Sequence, residues 1–335
     1  ANGAVAVRGT NLADANDSYA PLFHQSQLFV SGVNRRLQRW CFAGSAGTTL
    51  EIVTATNPMP TPVTTNFTLG SGAPDANCVV ADTGGGTRIT ASAPVSVYHF
   101  STGPGGAQFF DAFPLYPATP ETLYGTPSRN LGLATDIGGD VRVQRSDGSD
   151  TTFPLNAAPD HLGIGFGGSG AEGNSPTVAV TPADGLAIGA VEKNDGTGND
   201  ATTLLPIEAM SSRYVLPAAA AYVAIACPSP GETILVGGVA NTCAGVGVGK
   251  LRLGFTPSGT VLESQSGAAF TLYYDALAPD GKNDDTNLFV PRFNWAHVKA
   301  APGPIQTAPL TGTWTSAPSE AVTDVWGLFD ANQTV

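Results

Sequence analysis

Charged side chains are scarce in this chain, and basic ones are the scarcest. The 335 residues include 15 Lys and Arg against 27 Asp and Glu, which gives a formal net charge of −12. Proteins that bind nucleic acid need a basic face to displace counterions from phosphate, so this balance argues against that class of partner.

Long apolar runs are also missing. The longest, from Leu216 to Cys227, has 12 residues, whereas a membrane-spanning helix needs about 20. The 41 Gly and 26 Pro make up one residue in five, and both types destabilise the interior of a helix. Because 42% of the chain is still hydrophobic, a large core can form. We therefore expect a soluble all-β protein without a membrane span.

Cysteine is limited to four residues, none at the spacing of a zinc site. They fall into two local pairs, Cys41 with Cys78 and Cys227 with Cys243. The chain also begins at Ala1 without a Met or an apolar leader, which is typical of a mature exported product. We expect two disulfides and an extracellular or cell-surface location, and four unrelated buried thiols are the alternative.

An internal repeat is the most informative feature. Three segments, starting at Leu37, Leu131 and Tyr222, open with two strand-like runs joined by a Gly-containing turn, and an apolar run follows later in each. The first two copies are 91 residues apart, measured from Pro114 to Leu205. This length suits a β-sandwich of about seven strands. Cys41 and Cys227 occupy the same place in their copies, which supports the two disulfide pairs.

The repeat predicts three tandem β-sandwich units with a short extension at each end. The predicted limits are 1–29 for the first extension, 30–127, 128–220 and 221–300 for the three units, and 301–335 for the last extension.

One stretch carries a family resemblance. Between Gly185 and Pro217, an apolar strand and a polar loop lead to Leu-Leu-Pro at 204–206 and to Arg-Tyr-Val-Leu-Pro at 213–217. This pattern resembles part of the repeated β-domain of IgGFc-binding-type extracellular proteins. The resemblance implies a β-rich extracellular surface protein and carries no catalytic residue over.

The two ends of the chain hold candidate interface residues. A strand-like run near the start, Ala4, Val5, Ala6 and Val7, is suited to pairing with a sheet edge, either of its own chain or of a neighbouring copy. Near the other end, residues 319–329 read as a short helix with Ser319 as N-cap. Its aromatic residues and Trp314 are also interface candidates, because large aromatics are enriched at such sites: Trp314, Trp326 and Phe329.

Two loops at matching places in the second and third copies are rich in oxygen ligands. Their carboxylates, Asp195, Asp200, Asp284 and Asp285, are candidate calcium ligands. Solvated turns, which favour Asn, Asp and Gly, are the alternative explanation. No other cofactor is predicted.

No motif predicts an enzyme. Gly163 to Gly168 matches the letters of a dinucleotide fingerprint, but no helix follows to hold a phosphate. The four histidines are far apart in the chain, and none stands in a local catalytic signature.

The leading hypothesis is an extracellular structural protein that assembles with itself into a filament, sheath or surface layer, held by strand pairing and apolar docking. The alternatives are an adhesin or carbohydrate-binding protein, whose partner would be a surface glycan, and a viral coat or decoration protein.

Overall fold

The fold was obtained as a computed structural model. It describes residues 25–33, 37–55, 61–70, 77–82, 85–102, 109–127, 129–166, 174–193, 201–216, 219–277, 283–287, 293–300, 304–306, 313–315 and 323–330. The regular secondary structure of these residues is almost entirely β-strand, so the predicted all-β class is confirmed, and a short 3-10 turn covers Ile207–Ala209. In this part of the chain no helix has the length and apolarity to cross a bilayer.

The first set of strands forms a sandwich around one shared strand. Its strands are β1 (Ser26–Ser31), β2 (Leu37–Gly44), β3 (Thr49–Ala55), β4 (Pro62–Thr68), β5 (Cys78–Asp82), β6 (Thr87–Thr102) and β7 (Phe109–Leu115). The first half of β6 pairs with β1 and β3, and β4 extends that sheet. The second half pairs with β2 and β7, and β5 extends the other sheet.

The core of this sandwich lies between the two sheets. In β3, the alternate residues Leu50, Ile52 and Thr54 are buried, and this period-two pattern turns one face of the sheet inward. Phe29 from the first sheet and Trp40 from the second belong to the same buried cluster. The two halves of β6 therefore belong to two sheets that pack face to face.

The second set has nine strands in two sheets. They are β8 (Leu123–Gly125), β9 (Asn130–Thr135), β10 (Gly139–Arg145), β11 (Asp150–Leu155), β12 (Leu162–Gly165), β13 (Val178–Pro182), β14 (Ile188–Lys193), β15 (Ala201–Thr203) and β16 (Leu205–Pro206). The sheets have the orders β11-β10-β13-β8-β16 and β12-β9-β14-β15. Val143 and Leu133 contribute to one core from opposite sheets.

The third set has eight strands in two sheets. They are β17 (Arg213–Val215), β18 (Ala220–Cys227), β19 (Thr233–Val236), β20 (Val239–Thr242), β21 (Gly249–Leu253), β22 (Val261–Ser264), β23 (Thr271–Leu277) and β24 (Asn283–Asn287). The sheets have the orders β17-β22-β19-β20 and β21-β18-β23-β24. The buried hydroxyl of Tyr214 donates to the carbonyl of Phe270 at 2.5 Å and accepts from the Ser211 N–H at 2.9 Å.

The three sets share one pairing order when the halves of β6 count as the sixth and seventh strands. One sheet joins the fourth, third, sixth and first strands, and the other joins the fifth, second, seventh and eighth. Pairing places Leu123–Gly125 with the second set and Arg213–Val215 with the third. Both strands precede the unit limits expected at residues 128 and 221, and those limits stay predictions.

This order gives every sandwich two distinct ends. The sixth strand is antiparallel to the third, so the turn between the third and fourth strands and the loop between the fifth and sixth lie at the same end. We call this the distal end. The loop between the fourth and fifth strands lies at the opposite end and is called the proximal loop.

Strands also form the described part of the last segment. They are β25 (Phe293–Ala300), β26 (Pro304–Gln306), β27 (Thr313–Thr315) and β28 (Thr323–Asp330). Eight residues of β28 pair antiparallel with β25, so the helix expected over residues 319–329 is wrong for its described part, 323–329. A β-branched start at Thr323 and Val325 and a central Gly327 suit an extended strand better than a helix.

Candidate assembly surfaces

Both expected disulfides are present. Cys41 in β2 is bonded to Cys78 at the start of β5, and Cys227 at the end of β18 is bonded to Cys243. Cys78 follows the proximal loop of the first sandwich, and Cys243 begins that of the third. A disulfide therefore anchors the proximal loop in both sandwiches.

The first two sandwiches meet at a crossing where glycine backbones lie against each other without side chains between them. Gly32, just after β1, lies against Gly132 in β9, and a Cβ at Gly132 would be 2.5 Å from the Gly32 carbonyl oxygen. Gly189 in β14 lies closer still to its neighbour, since a Cβ there would overlap the Val30 carbonyl oxygen. Only glycine allows backbones to approach this closely. The crossing fixes the end of β1 against the neighbouring sheet.

A second contact in the same junction joins a distal loop to a proximal loop. Gly85 and Gly86, in the loop between β5 and β6, lie against the backbone of Pro159 and Asp160 in the proximal loop of the second sandwich. A Cβ at Gly85 would meet the Pro159 carbonyl at 2.7 Å. Val191 and Ala201 of the second sandwich also join the core cluster of the first. The two sandwiches are thus packed together.

The second and third sandwiches meet through the corresponding parts. Val246, in the proximal loop of the third sandwich, donates its N–H to the carbonyl of Ser146 at 3.1 Å, in the distal turn of the second. The Thr177 hydroxyl, at the end of the distal loop between β12 and β13, donates to the Gly249 carbonyl at 3.0 Å. One distal end therefore holds the next proximal loop mainly through backbone groups.

Charged groups reinforce this second junction. The Lys250 ammonium group donates to the Asn174 carbonyl of the second sandwich. Burial, together with repulsion from Arg252, lowers the pKa of Lys250. In the distal turn, Asp147 accepts the Ser149 N–H at 2.9 Å, and this hydrogen bond lowers the pKa of the carboxyl group. Asp147 thus holds the turn that supports Val246.

The distal end of the third sandwich forms an exposed cleft of about 520 Å³. We call it the distal cleft. Its walls are the turn between β19 and β20 and the loop between β21 and β22. The most exposed of its large apolar side chains, Val239 and Phe255, are each 67% exposed. The Arg252 guanidinium lies at one wall, 5.2 Å from the centre of the Tyr222 ring.

The outer edge of the first sandwich is β4. Seven consecutive residues of β4 pair with β3 without a bulge, and within the described residues β4 has no strand on its other side. Its sequence, Pro-Val-Thr-Thr-Asn-Phe-Thr, contains no charged residue. The equivalent edge strand β11 is instead protected by Pro154 and by Asp150, which is paired with Arg142. Charges and prolines are the usual means of keeping an edge from pairing, and β4 carries only Pro62 at its start.

A shallow polar trough of about 480 Å³ lies along this edge. It is lined by polar residues of β4, β3 and β6, including Thr68, Glu51 and Thr90, and also by Leu50, Phe67 and Ala91. The surface beside the edge is therefore mostly polar, with a few apolar groups. A second strand would find its contacts in the backbone groups of β4, with few side-chain obstacles.

A buried histidine in the first sandwich has a structural role. His99 is fully buried, and its Nε2 lies 2.9 Å from the Gln38 Oε1. Gln38 in turn donates to the Val33 carbonyl at 2.9 Å, while the His99 ring stacks on Trp40 and meets Phe113 edge-on. The network ties β6 to the chain that follows the Gly32 crossing.

Several predicted site residues lie outside the part of the chain that the structure describes. These are the run Ala4 to Val7 and the calcium candidates Asp195 and Asp200. Asp284 and Asp285 lie in β24, opposite Ala276 and Asp275 of β23. Within the described ranges, no three His, Cys, Asp or Glu residues cluster in a way that would hold a metal ion, so calcium stays a prediction.

The aromatic interface candidates of the last segment lie on strands. Trp314 is in β27, opposite Ile305, and Trp326 and Phe329 are in β28, opposite His297 and Asn294. Their role at an interface stays a prediction.

Sequence reasoning missed the distal cleft. Its signal is modest, namely an apolar residue placed in each of two turns, Val239 after Gly-Gly and Phe255 after Gly.

No protein-family model, curated protein or solved structure matches this chain. The resemblance to IgGFc-binding-type proteins therefore stays a prediction.

Proposed function

We propose that this protein is an extracellular structural subunit that assembles with copies of itself. The observation that carries the proposal is the edge at β4, a regular strand of seven residues that carries no charge and has no outer neighbour among the described strands. Such an edge is a template for a strand from another chain. The occupant we propose is a strand of a neighbouring copy.

The construction of the chain supports a load-bearing role. Sandwiches with a common strand order are joined by contacts between backbones, at Gly32 and Gly132 in one junction and at Val246 and Ser146 in the other. Backbone contacts of this kind hold neighbouring sandwiches in one relative position. A rigid array suits a subunit whose task is to bear and transmit force.

The disulfides support the proposed location outside the cell. Disulfides persist in oxidising compartments and are rare in the cytosol. Both bonds close local loops, of 37 and 16 residues in sequence separation. They stabilise individual sandwiches and leave the outer edges open to partners.

The experiment compares one lysine substitution at two equivalent edges. Thr64→Lys places a charge on the exposed edge strand β4, and Thr151→Lys places the same charge on β11, which Asp150 and Pro154 already protect. Light scattering coupled to size-exclusion chromatography measures the mass of each protein over a range of concentrations. We expect Thr64→Lys to raise the concentration at which assembly begins by about tenfold, which corresponds to about 1.4 kcal/mol.

Thr151→Lys should assemble as the wild type does. Equal loss of assembly in both variants would point to a general charge effect and would remove β4 as the acceptor edge. A wild-type chain that stays monomeric while folded would overturn the proposed function. Deleting residues 1–10 in parallel shows whether the donor strand comes from the amino-terminal segment.

A further inference from the structure

The distal cleft of the third sandwich corresponds to a surface that the second sandwich already uses. In the second sandwich, the distal turn at Ser146 holds the next proximal loop at Val246, and Thr177, at the end of the distal loop, holds the start of the strand after it at Gly249. In the third sandwich, the same turn and loop form the distal cleft, with Val239 on one wall and Phe255 on the other. The cleft thus occupies the place at which another proximal loop would dock.

We infer that the distal cleft binds the proximal loop of the first sandwich of a second copy. The inference rests on the proposed self-assembly and names a second surface for it. The first sandwich has its proximal loop between β4 and β5; residues 71–76 of this loop lie outside the described part of the chain, and at its described ends the Gly70 N–H donates to the Asn77 Oδ1 at 3.0 Å. Cys78 follows this loop, and a disulfide also anchors one of the two proximal loops that dock within the chain, at Cys243.

Burial of apolar surface supplies the driving force for this contact. Val239 and Phe255 are each 67% exposed. They are exposed even though β25, in the last segment, lies next to β17 of the same sandwich. Covering two such side chains in a central pocket is the usual source of affinity at an interface. The internal junction shows how such a contact can be arranged. Its hydrogen bonds at Ser146 and Thr177 join backbone and hydroxyl groups, so they do not depend on a particular apolar side chain.

The two surfaces differ from each other, and this decides the form of the assembly. A contact between unlike surfaces leaves one of each open at the ends of a dimer, so copies continue to add unless the rotation closes a ring. The inference therefore predicts linear or ring-shaped chains of copies along the direction of the sandwiches. Pairing at β4 would join such chains sideways.

The test uses two variants that should complement each other. A cleft variant carries Val239→Asp and Phe255→Asp, and a loop variant carries Asn77→Arg; both are made in the Thr64→Lys background so that pairing at β4 is suppressed. Sedimentation velocity measures each protein alone and the equimolar mixture. We expect the dissociation constant of each variant alone to rise at least about tenfold above that of the Thr64→Lys parent. The mixture should form one-to-one dimers that do not grow.

The matched control places the same two aspartates on other exposed apolar residues, Ile137→Asp and Ile207→Asp, which lie outside the cleft. This control should associate as the Thr64→Lys parent does. Thermal unfolding and disulfide mapping show whether each variant is folded.

A folded cleft variant that associates like its parent overturns the inference, and so does a mixture of folded variants that stays monomeric. In either case, the proposed function would still be supported if Thr64→Lys alone assembles less readily than the wild type. A wild-type chain without any association overturns both.

Discussion

Three glycines determine how closely the first two sandwiches approach. Gly32, Gly132 and Gly189 each lie where a Cβ would collide with backbone of the neighbouring sandwich. Backbone atoms have little freedom to move aside, so the collision would have to separate the two sandwiches or distort β14. The loss of stability on adding a methyl group at one of these glycines therefore measures how closely the two sandwiches are packed.

Gly189→Ala should lower the free energy of unfolding by about 2 kcal/mol or more, because the new methyl group overlaps the Val30 carbonyl. Gly163→Ala in β12 is the matched control, since a Cβ at Gly163 has no atom within 4 Å, and it should change stability by less than about 1 kcal/mol. Urea unfolding of both variants measures the difference. Equal stability of the two variants would show that the crossing is not as tight as described.

A single carboxylate should account for part of the acid sensitivity of the third sandwich. Glu232 accepts from the Ser264 hydroxyl at 2.7 Å and from the Ser266 hydroxyl at 2.8 Å, and these bonds lower the pKa of the carboxyl group below its usual 4.5. A lowered pKa stabilises the fold at pH values above 4.5, and that stability is lost as the pH falls through the folded-state pKa.

Glu232→Gln should therefore be less stable than the wild type at pH 7, and the difference should shrink as the pH falls below 4.5. Ser264→Ala removes the first donor to Glu232. It should also be less stable than the wild type at pH 7, and this difference should also shrink as the pH falls. Denaturant unfolding between pH 7 and pH 3 measures the slope. A parallel pH dependence in wild type and Glu232→Gln would contradict this account.

Residues of the junctions carry little sequence signal. Gly32, Gly132 and Gly189 are three of 41 glycines, and nothing in their neighbourhood distinguishes a close approach from a turn. Val246 and Ser146 meet through backbone atoms, which every residue type possesses. Contacts between distant backbone groups depend on the packing of whole sandwiches, so the sequence alone does not reveal them.

Among the elements, the proximal loop of the third sandwich connects a covalent bond to a junction. Cys243 begins the loop, and Val246, three residues later, donates to Ser146 of the second sandwich. The disulfide limits the motion of the loop, and this restraint reaches the hydrogen bond at Val246. A covalent restraint inside one sandwich therefore stabilises contact with the next.

Replacing Cys227 and Cys243 together by Ser should lower the free energy of unfolding by about 3 kcal/mol, since the bond closes a loop of 16 residues. It should also speed amide exchange at Val246, because its acceptor lies across the junction. The matched double variant of Cys41 and Cys78 should leave exchange at Val246 unchanged. Hydrogen exchange with mass spectrometry measures the exchange rate at Val246 in both variants. An unchanged rate in the variant of Cys227 and Cys243 would show that this disulfide does not stabilise the junction.

Strands and disulfides were the most predictable elements. The alternation in β3 and the paired cysteines follow from local pattern and spacing. β6 runs through Pro94 as one strand of 16 residues, and Pro94 lies where the strand passes from one sheet to the other. β28 overrides a helical start signal because eight residues of β25 pair with it.

The molecule as a whole presents two kinds of surface for assembly. β4 lies at the side of the first sandwich and has no outer neighbour among the described strands, and the distal cleft presents apolar side chains at the end of the third. The net charge of −12 makes copies repel one another, and salt screens that repulsion over about 10 Å at 0.1 M. Assembly through uncharged edges and apolar clefts should therefore strengthen as salt rises.

Electron micrographs of the native protein, stained at several concentrations in 0.15 M salt, show whether copies assemble. We expect regular linear, ring-shaped or sheet-like assemblies that lengthen or widen as the concentration rises. A uniform field of single folded subunits at every concentration would contradict this expectation.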